Sequence, residues 1–324
     1  MILVTGGAGF IGSNLNAALA EAGHEVVVVD WLGSAGKWRN LAGHPPALLI
    51  MPDALEHFLA TEPPIDIVFH LGAICETSAV DGDLAWMTNV ELPLLLWRWC
   101  AQHAVRMVYA SSAATYGDGG AGFDDDLSAL DTLRPTSLYG WTKHAFDLKV
   151  ARMLAAGVAR PPQWVGLKLF NVYGPNEYHK GPMESVVKAK YDEVRAGHAP
   201  RLFRSFDPAV PDGQQMRDFV WVGDVVEIMQ WLLHSPGVNG LFNVGTGDAR
   251  SYLHLAEAIC RAADVPERCE FVDMPAGLRA GYQAFTQATT ARLRAAGYAR
   301  PFTVMEEGVR IYINDYLAQA GRNR

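Results

Sequence analysis

The 324-residue sequence lacks long apolar runs and has no excess of basic residues. No stretch approaches the roughly 20 consecutive apolar residues that a membrane-spanning helix needs. Lys and Arg number 27 against 35 Asp and Glu, a formal net charge of -8, which gives no indication of nucleic-acid binding. The first residues, Met1–Thr5, lack the basic region and cleavage site of a signal peptide. We therefore expect a cytoplasmic protein without membrane or nucleic-acid partners.

Cysteine is also scarce. Cys75, Cys100, Cys260 and Cys269 form no CxxC pair, and in a chain of this length they are interpreted as buried thiols in a reducing compartment. The acidic run Asp124–Asp126 is a candidate metal-binding cluster, but consecutive aspartates are more typical of a solvated loop. The sequence thus predicts no metal site.

Hydrophobic residues make up 50% of the chain, and in its first half short β-branched runs alternate with helix-like stretches. Apolar strands separated by helices are typical of a parallel sheet covered on both faces. The predicted strands span residues 2–4, 25–29, 47–50, 66–70, 106–110 and 164–170. The predicted helices span residues 13–22, 55–59, 84–103 and 136–156. The sequence therefore predicts an α/β fold with a Rossmann-type doubly wound parallel sheet.

The pattern changes after about residue 170, where prolines punctuate a looser region that extends to about residue 216. Further elements are predicted beyond it: strands at 218–222 and 241–244, and helices at 225–233, 252–263 and 304–317. We predict a smaller, partly interleaved α/β substrate domain. The dinucleotide-binding domain would comprise residues 1–171 and about 218–244, and the substrate domain residues 172–217 and 245–324.

Residues 5–12, TGGAGFIG, form a glycine-rich turn between a predicted strand and a predicted helix. This spacing fits G-x-G-x-x-G, in which glycine permits a tight turn and a close approach to a pyrophosphate. The N–H groups at the helix N-terminus also favour phosphate. Asp30, at the end of the next strand, is placed to accept a hydrogen bond from a ribose hydroxyl, which favours NAD. Lys37 and Arg39 could pair with a 2′-phosphate, so NAD and NADP both stay open.

Three further side chains predict oxidation of an alcohol. Ser112 follows the strand 106–110, and Tyr139 and Lys143 lie four residues apart, on one face of the next helix. A tyrosine has a reference pKa of about 10. An ammonium about 4 Å away stabilises the tyrosinate by roughly 4 kcal/mol at an effective dielectric near 20. That energy lowers the pKa by up to about three units. We therefore predict that Tyr139 accepts a proton with help from Lys143. Ser112 would orient the reacting oxygen, and a nicotinamide cofactor would carry the hydride.

These motifs resemble those of the extended short-chain dehydrogenases/reductases that act on nucleotide sugars. The chain resembles more closely the ADP-L-glycero-D-manno-heptose 6-epimerase family. The motifs on which this resemblance rests are spread over nearly the whole sequence: VTGGAGFIGSN (4–14), YASSAATYG (109–117), FNVYGPNEYHKGPM (170–183), RDFVWVGDV (217–225), FNVGTG (242–247), GYQAFTQA (281–288) and LRAAGY (293–298). The resemblance implies epimerisation at the heptose C6″ carbon by transient oxidation and reduction, in a homo-oligomer that is a pentamer in the resembled family.

The resemblance also implies roles for individual residues. The cofactor, one NADP or NAD per subunit, would contact Gly6, Gly9, Phe10, Ile11, Gly12, Asp30, Trp31, Lys37, Leu71, Gly72, Ala73, Ile74, Cys75, Asn89, Lys143, Val172 and Lys180, with Lys37 favouring NADP. The catalytic residues would be Ser112, Tyr139, Lys143 and Lys180, the last as a second proton acceptor. The nucleotide sugar would contact Ser112, Asn171, Pro182, Phe203, Arg204, Ser205, Phe206, Arg217 and Tyr282.

Two other interpretations stay open. The first interpretation is another enzyme of the same superfamily: an epimerase, a dehydratase or a reductase. A dehydratase of this type, however, carries an Asp-Glu pair where this chain has Ala113 and Ala114. A non-enzymatic dinucleotide-binding scaffold is the other, although such proteins often lose the tyrosine or the lysine that this chain keeps. The segment 207–214 resembles an insertion beside the nucleotide pocket. The largely apolar helix around 94–100 favours either core packing or a subunit interface.

Overall fold

The computed structural model describes residues 1–76, 81–275, 279, 282–319 and 321–324, and within them a seven-stranded parallel sheet forms the centre. Its strand order is β11-β6-β5-β4-β1-β2-β3. The strands are β1 (Ile2–Thr5), β2 (Val26–Val29), β3 (Leu48–Ile50), β4 (Ile67–His70), β5 (Arg106–Ser112), β6 (Trp164–Leu169), β7 (Asn171–Tyr173), β8 (Arg201–Phe203), β9 (Met216–Arg217), β10 (Phe219–Trp221), β11 (Gly240–Val244), β12 (Arg250–Ser251) and β13 (Glu270–Val272). The predicted doubly wound sheet is confirmed.

Helices cover both faces of this sheet. The helices of the described residues are α1 (Phe10–Glu21), α2 (Arg39–Ala42), α3 (Leu55–Ala60), α4 (Gly82–Trp86), α5 (Leu92–Gln102), α6 (Leu138–Ala155), α7 (Val186–Arg195), α8 (Val222–His234), α9 (Tyr252–Ala262), α10 (Ala291–Ala295) and α11 (Met305–Ile311). One hydrophobic cluster joins α1 and α8 to one face, and a second joins α3, α5 and α6 to the other. Because both faces are buried, the central strands are largely apolar, as in the run Val26–Val29.

The order of the strands fixes where a ligand binds. The chain leaves β1 toward β2 on one side, whereas β4 lies on the other side of β1. The carboxyl ends of adjacent strands whose connections run in opposite directions leave a crevice between them. The glycine turn after β1, Asp30 after β2 and Ser112 at the end of β5 therefore lie along the same edge of the sheet.

A third hydrophobic cluster lies outside the main sheet. It joins α7, α9 and α11 around Tyr173, Tyr191 and Tyr312. Three two-stranded sheets border it: β7 with β10, β9 with β12 and β8 with β13. The expectation of a loose region from 171 to 216 was wrong, because α7 spans ten residues there and is capped by the hydroxyl of Ser185. Val187, Tyr191 and Val194 give it one buried face, at a spacing that predicts a helix.

Several predicted elements differ in detail. The helix predicted at 84–103 is divided into α4, a π-helical segment Met87–Glu91 and α5. Most apolar side chains of α5, including Leu94, Trp97 and Cys100, are buried within the chain's own core, whereas Leu95 and Trp99 are half-buried. The prediction of four buried thiols was also wrong at Cys75, which is exposed, and at Cys269, which is half-buried.

The described part of the chain lacks both a membrane-spanning helix and a metal-binding cluster. No helix there is long and apolar enough to cross a membrane. No group of three or more His, Cys, Asp or Glu side chains there is arranged to hold a metal ion. The interpretation of Asp124–Asp126 as a solvated loop was wrong for Asp125, which is fully buried beside Arg292 and accepts a hydrogen bond from the backbone N–H of Asn243 at 2.7 Å.

Candidate active site

The glycine turn between β1 and α1 is packed so tightly that a side chain at Gly6 or Gly12 would clash with backbone atoms. Gly6 has a φ of +69°, and a Cβ there would lie 2.5 Å from the backbone nitrogen of Gly72. A Cβ on Gly12 would lie 2.1 Å from the carbonyl oxygen of Gly6. Gly9 precedes α1 and provides no side chain to cap it, so N–H groups of the first turn are free to bind an anion. These features fit the pyrophosphate of a dinucleotide.

Asp30 and Lys37 line the cleft beside the glycine turn. One carboxylate oxygen of Asp30 accepts a hydrogen bond from the N–H of Ala8 at 2.9 Å, which ties β2 to the glycine turn. The other oxygen lies 2.6 Å from the ammonium of Lys37. Trp31 is adjacent but exposed, and its carbonyl oxygen accepts a second bond from Lys37. The arrangement fits a ribose with a charged substituent, because Lys37 offsets the charge of Asp30.

The loop after β4 forms another wall. Leu71, Gly72, Ala73 and Cys75 line a cleft of about 470 Å³ together with the glycine turn, Ser112, Tyr139, Lys143, Asn171, Val172 and Lys180. Ile74 and Asn89 lie behind this wall. The amide of Asn89 is fully buried, and it both donates to and accepts from the backbone of Ile74 at 2.9 Å. Asn89 therefore shapes the loop, where the resemblance implied a direct cofactor contact.

Ser112, Tyr139 and Lys143 meet in this cleft. Ser112 ends β5, and Tyr139 and Lys143 lie in the first turns of α6, whose N-terminus is capped by the hydroxyl of Ser137. Ser112 and Tyr139 both line the cleft. The ammonium of Lys143 is almost fully buried and donates to the carbonyl oxygen of Ala110 at 2.9 Å. The structure thus brings the three predicted side chains together.

The electrostatics of the triad differ from the prediction in one respect. Burial raises the pKa of Tyr139 to about 12, and the nearby hydroxyl of Ser112 offsets only part of that rise. Burial also lowers the pKa of Lys143 to about 8, against the opposing charge of Asp147. Desolvation penalises a charged form wherever water is excluded, and here it outweighs the predicted help from Lys143. Ionisation of Tyr139 near neutral pH therefore needs further positive charge in the cleft.

A buried charged layer supports the triad from below. Asp147 lies one turn beyond Lys143 on α6, is completely buried, and accepts a 2.6 Å hydrogen bond from the hydroxyl of Ser111. Lys168 on β6, also completely buried, has its ammonium 3.4 Å from the Asp147 carboxylate and 2.5 Å from the hydroxyl of Thr115. This pair fixes the end of β5, and with it the position of Ser112.

Lys180 enters the cleft from the loop after β7. Its ammonium lies 5.3 Å from the centre of the Phe10 ring, at the glycine turn. Glu177 holds one side of this loop, because its buried carboxylate accepts bonds from the hydroxyls of Ser185 at 2.6 Å and Tyr312 at 2.9 Å. Lys180 is thus near the cofactor turn, as the resemblance implied, and Pro182 follows it in a short turn.

A second cavity of about 360 Å³ adjoins the cleft and shares Val186 with it. Phe203 and Tyr282 line it, as expected. Arg217 is buried beside it, its guanidinium 5.1 Å from the ring centre of Tyr282. Phe206 lies edge-on to Tyr282.

The segment 207–214 folds back beside this cavity. It contacts Arg204 and Ser205, two residues for which the resemblance implied substrate contacts. Asp212 in this segment pairs with Arg204 at 2.9 Å and accepts from the N–H of Ser205 at 2.8 Å. Among the described residues, neither Arg204 nor Ser205 lines the cleft or the second cavity. The geometry therefore assigns Arg204 and Ser205 to holding the segment in place.

The sequence reasoning missed Gln215 and Tyr252, which also line the second cavity. Gln215 is 3% exposed, and its amide nitrogen has no hydrogen-bond partner among the described residues. One signal was available: Gln215 lies two residues before Arg217, and alternate residues of an extended chain point to the same side. An unpaired buried amide beside an apolar cavity is suited to the polar edge of a nucleobase.

Two histidines near the cleft are uncharged at neutral pH. Burial, with a contribution from Lys143, lowers the pKa of His70 to about 3, and its ring bonds the hydroxyl of Thr5 at 2.8 Å. His70 is therefore a buried histidine of the core. Burial and the charges of Lys37 and Lys180 lower the pKa of His179 to about 4. His179 lines the cleft, and the sequence reasoning assigned it no role.

Comparisons with known proteins agree with this geometry. The model of the NAD dependent epimerase/dehydratase family matches residues 2–245. An ADP-L-glycero-D-manno-heptose-6-epimerase of Nitratidesulfovibrio vulgaris is 45% identical over 324 residues, covering 99% of both chains. Another, from Fusobacterium nucleatum, is 40% identical over 331 residues, covering 98% of both.

Solved structures give the same result. The crystal structure of the Helicobacter pylori ADP-L-glycero-D-manno-heptose-6-epimerase superposes with a TM-score of 0.80 at 27% identity, covering 97% of this chain and 95% of that one. The Thermus thermophilus UDP-glucose 4-epimerase in complex with NAD superposes with a TM-score of 0.74 at 30% identity, covering 97% of each chain. The chain therefore belongs to the NAD dependent epimerase/dehydratase family and, within it, to the ADP-L-glycero-D-manno-heptose 6-epimerase family.

Proposed function

We propose that this protein is a nucleotide-sugar epimerase that converts ADP-D-glycero-D-manno-heptose to ADP-L-glycero-D-manno-heptose at C6″, with bound NADP. The observation that carries the proposal is the convergence of Ser112, Tyr139 and Lys143 in one cleft with the glycine turn and Lys180. Residues 1–171 and 218–244 hold the cofactor in this proposal, and residues 172–217 and 245–324 hold the nucleotide sugar.

The choice of NADP over NAD follows from charge. An aspartate at the end of β2 repels a 2′-phosphate, but here Asp30 is paired with Lys37 at 2.6 Å. Arg39, exposed at the start of α2, adds a second cation two residues further on. Lys37 can pair with a phosphate dianion while Ala8 continues to satisfy Asp30. Release of the nucleotide from denatured protein, followed by chromatography, identifies which dinucleotide is held.

The residues of the cleft divide the work of epimerisation. A bound nicotinamide would supply the acceptor and the donor of hydride for the C6″ carbon, and the glycine turn, Asp30 and Lys37 would hold its dinucleotide. Ser112 donates a hydrogen bond to the reacting oxygen and orients it. Tyr139 accepts the hydroxyl proton as the ketone forms, and Lys143 supplies positive charge beside it. Lys180 exchanges the proton for the second orientation of the substrate, because the oxygen changes position on inversion.

The second cavity takes the nucleotide. Arg217 binds the diphosphate, and Phe203, Tyr252 and Tyr282 enclose the base in an apolar environment. A dehydratase is disfavoured, since Ala113 and Ala114 follow β5 where elimination of water requires an acid and a base. The non-enzymatic scaffold is disfavoured because Tyr139 and Lys143 are both in place.

The test uses ADP-D-glycero-D-manno-heptose in heavy water, with C6″ followed by NMR. We expect inversion without deuterium at C6″, because the carbon-bound hydrogen stays in the cofactor pocket. Deuterium at C6″ would indicate a deprotonated carbon and refute the mechanism. If C6″ is not inverted, ADP-D-glycero-D-manno-heptose is not the substrate. A matched control is Tyr298→Phe, which removes a buried hydroxyl with no hydrogen-bond partner among the described residues and should keep full activity.

A cytoplasmic homo-oligomer with one cofactor per subunit completes the proposal. Its support in the structure is an apolar surface on α4, the π-helical segment Met87–Glu91 and α6, where Leu84, Met87 and Trp141 are 46%, 61% and 48% exposed. The ring centre of Trp141 lies 5.4 Å from that of Trp86. Light scattering at micromolar concentration should give a mass above 35.4 kDa, and a monomer would refute the assembly.

A further inference from the structure

The loop that carries Lys180 is held by side chains rather than by regular structure. It consists of residues 174–180, which form turns between β7 and the turn at Gly181. Asn176 lies in its middle, fully buried, with a φ of +73°. This left-handed conformation is uncommon for a residue other than glycine, so neighbouring contacts must stabilise it.

Asn40 ties this loop to the glycine turn. Its amide nitrogen donates to the carbonyl oxygens of Ala8 and Asn176, both at 2.9 Å, and lies 3.2 Å from the ring of His179. Asn176 in turn donates to the hydroxyl of Ser13 on α1 at 2.9 Å. Both amides are oriented by these bonds, because a rotation that exchanged nitrogen and oxygen would lose them. Their oxygens are therefore left as acceptors for other donors.

The segment 321–324 supplies the donors for these two oxygens. The amide nitrogen of Asn323 lies 2.6 Å from the Asn40 oxygen and 3.0 Å from the Asn176 oxygen. The backbone N–H of Arg324 donates to the same Asn176 oxygen at 3.0 Å. Tyr178 donates its hydroxyl to the carbonyl oxygen of Arg322, also at 3.0 Å. A segment about 280 residues from Asn40 thus closes the network that connects the glycine turn to the Lys180 loop.

We propose that Asn323 is a positioning residue, whose amide joins Asn40 and Asn176 and so fixes Lys180 relative to the glycine turn. The inference rests on the proposed function, in which Lys180 exchanges a proton. A reacting group displaced by about 1 Å can cost on the order of 10²-fold in rate even when the change is distant. Asn323 does not reach the cleft, so its effect passes through the loop.

The test compares Asn323→Asp with Asn323→Ala, and with the isosteric control Asn314→Asp. Asn323→Asp places a carboxylate against two acceptor oxygens, so it should be more harmful than Asn323→Ala, which only removes the donor. Asn314→Asp, at an exposed position near the same end of the sequence, introduces the same charge without this contact and is the control. We expect Asn323→Asp to lower kcat about ten- to a hundred-fold with KM within two-fold, and Asn314→Asp to leave both unchanged.

Two further measurements separate positioning from loss of the fold. Amide hydrogen exchange should be at least ten-fold faster at residues 176–180 in Asn323→Asp and unchanged in β1 and β4. In a Lys180→Met background, Asn323→Asp should cost less than a further two-fold in kcat, since the group that it positions is gone. Circular dichroism at the assay temperature verifies that each variant is folded.

The outcomes distinguish the inference from the function on which it rests. A wild-type rate for Lys180→Met would refute the proposed role of that lysine. If Lys180→Met is impaired but Asn323→Asp has wild-type kcat and exchange, the positioning role of Asn323 alone is refuted. The positioning role would also be refuted if Asn323→Asp lowered kcat by the same factor in the wild type and in the Lys180→Met background. The two residues would then act independently.

Discussion

The buried pair of Lys168 and Asp147 gives a quantitative prediction for stability. With charges 3.4 Å apart, Coulomb's law gives about 5 kcal/mol of attraction at an effective dielectric near 20. Lys168→Met removes the cation and leaves a fully buried carboxylate that retains bonds from Ser111 and Tyr109. Removing one partner of a buried pair typically costs about 3–5 kcal/mol, and these remaining bonds favour the lower end. We expect the free energy of unfolding to fall by about 3 kcal/mol.

The assay is urea unfolding followed by tryptophan fluorescence, for which the chain has nine tryptophans. The double variant Lys168→Met with Asp147→Asn should recover at least about 1 kcal/mol, since it leaves no unpaired buried charge. Lys188→Met is the control, because it breaks only partly exposed pairs with Glu184 and Asp192 and should cost less than about 1 kcal/mol. Equal losses for Lys168→Met and Lys188→Met, or a double variant less stable than Lys168→Met, would refute this reasoning.

Three further predictions concern the site. Tyr139→Phe and Lys180→Met should each lower the epimerisation rate by at least about 10²-fold while the protein keeps its cofactor absorbance; loss of the cofactor would contradict these roles. Gln215→Leu should weaken the binding of ADP, measured by calorimetry, while inorganic pyrophosphate binds as before; an unchanged ADP affinity would exclude a contact with the base. The pKa of His70 lies near 3 in the fold against about 6.5 in an unfolded chain, so the unfolded state binds more protons between these values and stability falls as pH falls. At pH 5 this costs about 2 kcal/mol relative to pH 7.5, and His70→Gln should lose that part of the pH dependence in urea unfolding; an identical pH dependence would refute it.

Local patterns in the sequence determined the frame of the cofactor site. The run Val26–Val29 predicts a buried strand, and Asp30 directly after it must lie at the strand's carboxyl end. The spacing of Tyr139 and Lys143 sets both on one helical face, and the hydroxyl of Ser137 three residues before Gly140 begins that helix. Such features depend on neighbours within a few residues, so the sequence is sufficient to predict them.

Solvation was decided by the tertiary structure alone. The spacing of Tyr139 and Lys143 predicted a lowered pKa for the tyrosine, but the fold buries both groups and the pKa of Tyr139 rises to about 12. Asp125 has the sequence environment of a solvated loop, yet Arg292 and Asn243 enclose it. A helical or strand period says which residues share a face, but not how much water that face retains.

Contacts between distant segments were likewise beyond the reach of the sequence. Lys168 and Asp147 become a pair only because β6 lies beside β5 and beneath α6. Asn323 meets Asn40 across 283 positions, and no local pattern in residues 321–324 indicates a partner. Periodicity and turn residues act over one element at a time, whereas these contacts depend on the final packing of several. The sequence therefore determined the sheet, the glycine turn and the Ser–Tyr–Lys set, and the packed structure decided how charge is buried and what holds Lys180 in place.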